Sequence, residues 1–179
     1  MDRQGELDRF LAGVERRAFR MAEIATGSRD DALDILQDAM STLVEKYRDR
    51  GAAEWGPLFR RILQSRIEDW RRRESVRRRF RVWFRFGAGE DDEDPIEALG
   101  DAGEPGPERR AQAERGIEVL EAAIRRLPLR QQQALLLRVW DGLDVGETAR
   151  AMRCSEGSVK THYSRAVTAL REQLEGHWP

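Results

Sequence analysis

In one stretch of this chain, Leu33, Leu36, Met40, Leu43, Val44 and Tyr47 recur at steps of three and four. That spacing paves one face of an α-helix, whereas on a strand the same residues would scatter over both faces. The opposite face carries Asp31, Asp34, Gln37, Asp38 and Ser41. Runs of β-branched residues are lacking elsewhere and helix formers dominate, so the expected fold class is all-α. Charged residues make up 36% of the 179 positions and aromatics only 7%. A chain this polar fills two small cores more readily than one large one. The expected architecture is two small helical domains joined by a flexible acidic linker, the C-terminal domain a helix-turn-helix.

Local signals set the element boundaries. A first helix is predicted over residues 6–25, with Leu7, Phe10, Leu11, Val14 and Met21 on one side. Thr26-Gly27-Ser28 ends it: Gly27 suits a left-handed stop and Ser28 can cap the second helix. Residues 48–51 break the second pattern. A third helix starts near Trp55 or Pro57, since proline is tolerated in a first helical turn. It runs through Leu58, Ile62, Ile67 and Trp70. Residues 87–107 hold five glycines, three prolines and few apolar anchors. Such a segment cannot offset its ordering entropy by burial and reads as a tether. Beyond it, Leu120, Ile124 and Leu127 form a stripe ending at Pro128. The next helix points Leu135, Leu136 and Val139 inward, and Asp141-Gly142 stops it.

The net charge of −1 conceals a strong segregation. Residues 60–85 contain eleven arginines against three acids, Glu68, Asp69 and Glu74; residues 86–108 contain nine acids and no base. The arginines alternate with Trp70, Phe80, Trp83 and Phe84. Arginine neutralises phosphates and aromatic rings stack on unpaired bases, so nucleic acid is the expected ligand. The plainer alternative makes the aromatics core and the arginines a solvated face; Trp70 keeps step with Ile62 and Ile67. The acidic face of the second helix has two readings as well. It is a solvated face favoured near the helix N-terminus, or the seat of a basic partner.

Residues 145–170 read as a helix-turn-helix. Ala149 is the small residue at the crossing, and Met152, Cys154, Val159 and Tyr163 form the shared core. Ser155 is a good N-cap with Ser158 three residues on. The outward residues of the second helix, Ser158, Lys160, Thr161, His162, Ser164 and Arg165, can all donate hydrogen bonds and none is acidic. An α-helix fits the major groove, and its N-terminal residues reach base edges. An ordinary surface helix is the alternative. Thr148 and Arg153 stand where such units often carry an aliphatic residue and a glycine.

Cys154 is the sole cysteine, so neither an internal disulfide nor a cysteine zinc site can form, and His162 and His177 are too far apart to pair on a metal. Glycine-rich phosphate loops and nucleophile–base sets are absent. The expectation is a protein that is not an enzyme, with no cofactor, no metal and no small-molecule substrate. No signal-peptide core and no run of ~18 apolar residues occurs, which points to the cytoplasm and no membrane span.

These pieces resemble a bacterial RNA polymerase sigma factor of the sigma-70 family, in its extracytoplasmic-function (ECF) group. The resemblance covers residues 7–174 and is weakest in the tether. DDALDILQDAMSTLVEKY is similar to the family's core-binding helix: Asp31, Ala32, Asp34, Gln37 and Asp38 fit, while Leu33, Ala39 and Met40 depart. RILQSRIEDWRRR is similar to the helix that opens and reads the minus-ten element, with Ser65 in place of the common asparagine. The stretch from Leu127 and Pro128 through Leu135, Ala149, Gly157, Val159, Lys160 and Arg165 resembles the minus-thirty-five module.

The resemblance implies domains at 1–86 and 108–179 around a linker at 87–107, and two main partners, core RNA polymerase and promoter DNA. An anti-sigma factor is a further partner it allows. Core binding falls on Asp31, Asp34, Gln37, Asp38 and Ser41. The minus-ten element falls on Trp55, Ser65, Asp69, Arg72, Arg73 and Arg77, with the melted strand held by residues 48–55 and the arginine helix. The minus-thirty-five element falls on Ser155, Ser158, Lys160, Thr161, His162 and Arg165. The acidic tether would imitate nucleic acid inside the polymerase. The runner-up is a LuxR-type regulator, because Val159-Lys160-Thr161-His162 suits its recognition helix too; a polymerase-binding adaptor is the third reading.

Overall fold

A computed structural model describes residues 3–85 and 108–175, the side chains of 78–85 and 108–115 excepted. The tether at 87–107 and His177 lie outside the described residues, as do the side chains of Phe80, Trp83 and Phe84. Every regular element among the described residues is a helix: α1 (Arg3–Thr26), α2 (Arg29–Tyr47), α3 (Ala52–Arg85), α4 (Glu108–Arg125), α5 (Leu129–Leu135), α6 (Val145–Met152) and α7 (Glu156–Leu174). None of the described helices is long and apolar enough to cross a membrane.

The α1–α2 corner forms as its residues dictate. Gly27 takes φ +69°, the left-handed stop. Ser28 Oγ then accepts from the Asp31 N–H at 3.3 Å, capping α2. The face of α2 that enters the core is Ala32, Ile35, Leu36, Ala39 and Leu43. Ala32 and Ala39 are fully buried, which lets α1 and α3 approach closely. Leu33 was expected inward and is instead 39% exposed. It sits about 100° around the helix from Ala32, whose small side chain carries little weight in a hydrophobicity pattern. Against this face pack Met21, Ile24 and Ala25 of α1 and Trp55, Phe59, Ile62, Leu63 and Ile67 of α3.

The second unit begins with Ala123, Ile124 and Leu127 of the α4 end, turns at Pro128 and enters α5. Two buried glutamines follow, and both are satisfied: Gln132 Nε2 donates to the Ile124 carbonyl at 3.1 Å, Gln133 Nε2 to Glu68 Oε1 at 3.2 Å. Helix α5 then widens into a π turn, Leu136–Trp140, in which the Asp141 N–H reaches back five residues to the Leu136 carbonyl at 3.1 Å. Val139, expected inward, is 65% exposed for this reason. Leu137, on the same face as the buried Gln133 and Ala134, enters the core instead. Gly142 at φ +66° ends the turn.

A smaller core belongs to the C-terminal unit alone: Ala134, Leu137, Leu143, Ala149, Ala151, Met152 and Val159. The larger one is shared. Leu127, Leu135, Leu136, Ala166 and Leu170 join the residues of α1–α3 in a single cluster, and α6 packs directly on α3. Polar links ring this junction. Asp141 bonds Arg60 at 3.1 Å and pairs with Arg17 at 3.6 Å. Glu68 pairs with Arg130 at 2.9 Å, and Arg130 Nη1 also donates to the Met152 carbonyl at 2.8 Å. Arg20 bonds Glu121 and Glu23. Burial works against the Arg20 charge, but the bonds to Glu23 and Glu121 outweigh it and hold its pKa above the ordinary value.

Candidate polymerase and nucleic-acid interfaces

Because the core face of α2 is complete, its other face is left to solvent. Asp34, Gln37, Asp38 and Ser41 are exposed there and Asp31 is half-buried. Asp38 is tied to α3: it pairs with Arg66 Nε at 2.9 Å, while Arg66 Nη2 donates to Thr42 Oγ1 at 3.1 Å. The face therefore consists of a carboxylate at Asp34 with no partner among the described residues and a tethered carboxylate at Asp38. The exposed Leu33 stands beside them.

Helix α3 sends Arg72, Arg73 and Arg77 into solvent, with Ser65 and Asp69 half-buried on the same length of helix. The arginines lean on local acceptors. Arg73 Nε donates to the Asp69 carbonyl at 3.2 Å; Arg72 stands 4.0 Å from the Asp69 carboxylate and Arg77 3.9 Å from Glu74. Such exposed pairs are weak and open readily to a phosphate. Trp55 corrects an expectation. The resemblance assigns it to minus-ten DNA, yet it is 1% exposed, its Nε1 donating to the Tyr47 carbonyl at 3.1 Å and its ring 6.0 Å from that of Phe10. Its ring anchors the start of α3 and offers no face to a base.

In the helix-turn-helix, α6 opens with a full capping box: Glu147 N donates to Asp144 Oδ1 at 2.7 Å, and Asp144 N donates to Glu147 Oε2 at 2.9 Å. Asp-x-x-Glu was legible in the sequence as this signal. Thr148 is fully buried and satisfies its hydroxyl on the Asp144 carbonyl at 2.7 Å, so a polar residue fits the aliphatic position. Ser155 caps α7 by accepting from the Ser158 N–H at 3.1 Å, and the two hydroxyls lie 2.9 Å apart. Lys160, Thr161, Ser164 and Arg165 are exposed; Ser158 and His162 are half-buried. Thr161 Oγ1 donates to the Gly157 carbonyl at 3.0 Å. Cys154 lies half-buried behind the turn; burial raises its thiol pKa, with Arg130 working against the shift and Glu68 with it. The sequence-derived sites thus form three separate surfaces, on α2, α3 and α7.

Similarity to known proteins spans most of the chain. Residues 117–170 match the family model described as Sigma-70, region 4. The chain is similar to an RNA polymerase sigma-E factor of Streptomyces antibioticus, 31% identical over 179 residues, spanning 96% of this chain and 88% of that one. It is also 28% identical over 171 residues to the ECF RNA polymerase sigma factor SigM of Mycobacterium tuberculosis, spanning 93% and 76%. Among solved structures, the Bartonella quintana sigma factor RpoE, determined with the anti-sigma factor NepR, has a TM-score of 0.64 at 20% identity, covering 94% of this chain and 96% of that one. A match spanning both units favours the sigma reading over a LuxR-type regulator, which would share the helix-turn-helix alone. The chain belongs to the extracytoplasmic-function group of the sigma-70 family of RNA polymerase sigma factors.

Proposed function

We propose a division of labour for this chain as a sigma factor, which binds core RNA polymerase and directs promoter-specific initiation. Residues 1–86 form the unit that binds core through Asp31, Asp34, Gln37, Asp38 and Ser41 and holds minus-ten DNA through Ser65, Asp69, Arg72, Arg73 and Arg77. Residues 108–179 form the unit that reads the minus-thirty-five element with α7, and 87–107 join them. An anti-sigma factor is included among the partners because the B. quintana neighbour was solved with one.

One observation carries the reading of α7. Among the described residues, its outward donors Lys160 and Arg165 face no carboxylate, whereas Arg17, Arg20, Arg60, Arg66 and Arg130 each do. Among the described residues, Lys160 and Arg165 form no ion pair. The packed arrangement also implies a rearrangement. The two promoter elements lie about 25 base pairs apart, roughly 85 Å at ~3.4 Å per step. With α6 packed on α3, one chain cannot cover both until its units part.

The test is charge reversal on α2. Asp34 has no partner among the described residues, and the Asp38–Arg66 pair is half-exposed, so Asp34→Lys with Asp38→Lys should change stability by less than about 1 kcal/mol. Capture of core polymerase by the folded double variant should fall to background. Capture at wild-type strength overturns the assignment of this face.

A further inference from the structure

Three residues of the described chain adopt positive φ. Two are glycines, Gly27 and Gly142, which take that conformation without steric cost. The third is Arg153, at φ 54° and ψ 47°, the left-handed C-cap of α6 and the first residue of the turn in the helix-turn-helix. The turn is closed by the Cys154 N–H, which donates to the Ala149 carbonyl at 3.1 Å. A β-carbon in this region crowds the following carbonyl, and glycine would relieve it. Elsewhere this chain uses glycine for such a stop. Here it keeps a strained cation.

The side chain has no intramolecular employment that would explain the strain. Arg153 is exposed and, among the described residues, makes no ion pair and no side-chain hydrogen bond. Arg150, one turn earlier on α6, is also exposed and unpaired there. Both line a shallow opening with Gly146, Ala149, Cys154 and Glu156. Its charged groups are two cations and one carboxylate, Glu156, so it is net positive. Arg153 stands two residues before Ser155, the cap of the helix whose N-terminal half enters the groove. The walls of that groove are phosphates, and guanidinium grips phosphate with two parallel bonds.

We propose that Arg153 and Arg150 are phosphate-holding residues of the upstream-element interface, and that the left-handed strain at Arg153 is retained for that contact. The inference rests on the reading of α7 as the DNA-reading helix. The contact carries no sequence information; it fixes the depth and register at which Lys160, Thr161 and Arg165 meet base edges.

The experiment uses holoenzyme reconstituted with core polymerase and duplex DNA carrying the upstream element, with affinity measured against salt. Arg153→Gly should move two readouts in opposite directions. The thermal midpoint of the free chain should rise by about 2 °C as strain is relieved. Affinity should fall about tenfold, equally for every upstream sequence, and the log–log salt slope should shrink by about 0.9. Arg153→Lys, which keeps both cation and strain, should leave the midpoint and the slope near wild type. Arg150→Ala should remove a further slope increment of about 0.9. A higher midpoint for Arg153→Gly with unchanged affinity and slope overturns the proposal. If wild-type holoenzyme does not distinguish the upstream element from a scrambled duplex, the reading of α7 itself fails, and the proposal with it.

Discussion

Removing the Asp141 carboxylate tests how the two units are held together. It is 9% exposed and accepts from Arg60 Nε at 3.1 Å, with Arg17 at 3.6 Å on its other oxygen. Both arginines reach water: their side chains are 31% and 55% exposed respectively. A wholly buried pair that loses one member costs roughly 3–5 kcal/mol, and an exposed pair about 0–1. With a buried acceptor and solvated donors, Asp141→Ala should cost about 1–2 kcal/mol, since each stranded guanidinium turns to solvent rather than remaining buried and unpaired. For a chain of this size that lowers the thermal midpoint by about 2–8 °C. Urea unfolding followed by circular dichroism reads the same loss as a lower midpoint concentration. High salt should narrow the gap between variant and wild type, because the Arg17 contribution is the more exposed of the two. A double-mutant cycle with Arg60→Ala isolates the shorter bond. A variant whose midpoint at low salt coincides with wild type refutes the argument; the link between Asp141 and α3 would then be a surface contact without energetic weight.

Two further outcomes are expected. Ser155→Ala removes the cap of α7 and should cost about 1 kcal/mol of stability, weakening binding at all upstream sequences alike; a loss confined to particular sequences would assign Ser155 to base reading instead. The Cys154 thiol, its pKa raised by burial, carries less thiolate at pH 8 than the same residue in the unfolded chain. Iodoacetamide should therefore label native protein more slowly than protein in urea, the protection fading as pH climbs through the raised value, and equal rates would contradict the burial argument.

Much of the fold could be read from residue order because its boundaries are local events. Gly27, Ser28, Gly142 and Ser155 each act within three or four residues, and all four do what their chemistry predicts. The acidic face of α2 and the donor face of α7 were legible for the same reason, as complements of an apolar stripe. What escaped was tertiary. Small residues hid the true core face of α2, so Leu33 was misplaced. Trp55 falls to the minus-ten element by resemblance alone, and only the packing of α1 and α3 around it shows that it is an anchor. Asp141 with Arg60 and Glu68 with Arg130 join residues 81 and 62 positions apart. No periodicity encodes such pairs. Arg153 is a mixture: its departure from glycine was visible in the sequence, but its left-handed backbone and its lack of a partner among the described residues required the fold.

The π turn at Leu136–Trp140 has a consequence for how such a chain can diverge. A π turn is an α-helical turn with one residue added. Within this helix, gaining or losing a single codon is thus enough to interconvert the two, with every other residue keeping its identity. With the codon present, Leu137 fills the small core, Val139 faces outward and Asp141 swings to Arg60 and Arg17. Losing that codon would close the widened turn to an ordinary α turn, and the residues beyond it, Asp141 among them, would keep their facing. Descendants that differ by this one indel would keep Asp141 on the seam, whereas an indel that no widened turn absorbed would rotate it away by about 100°.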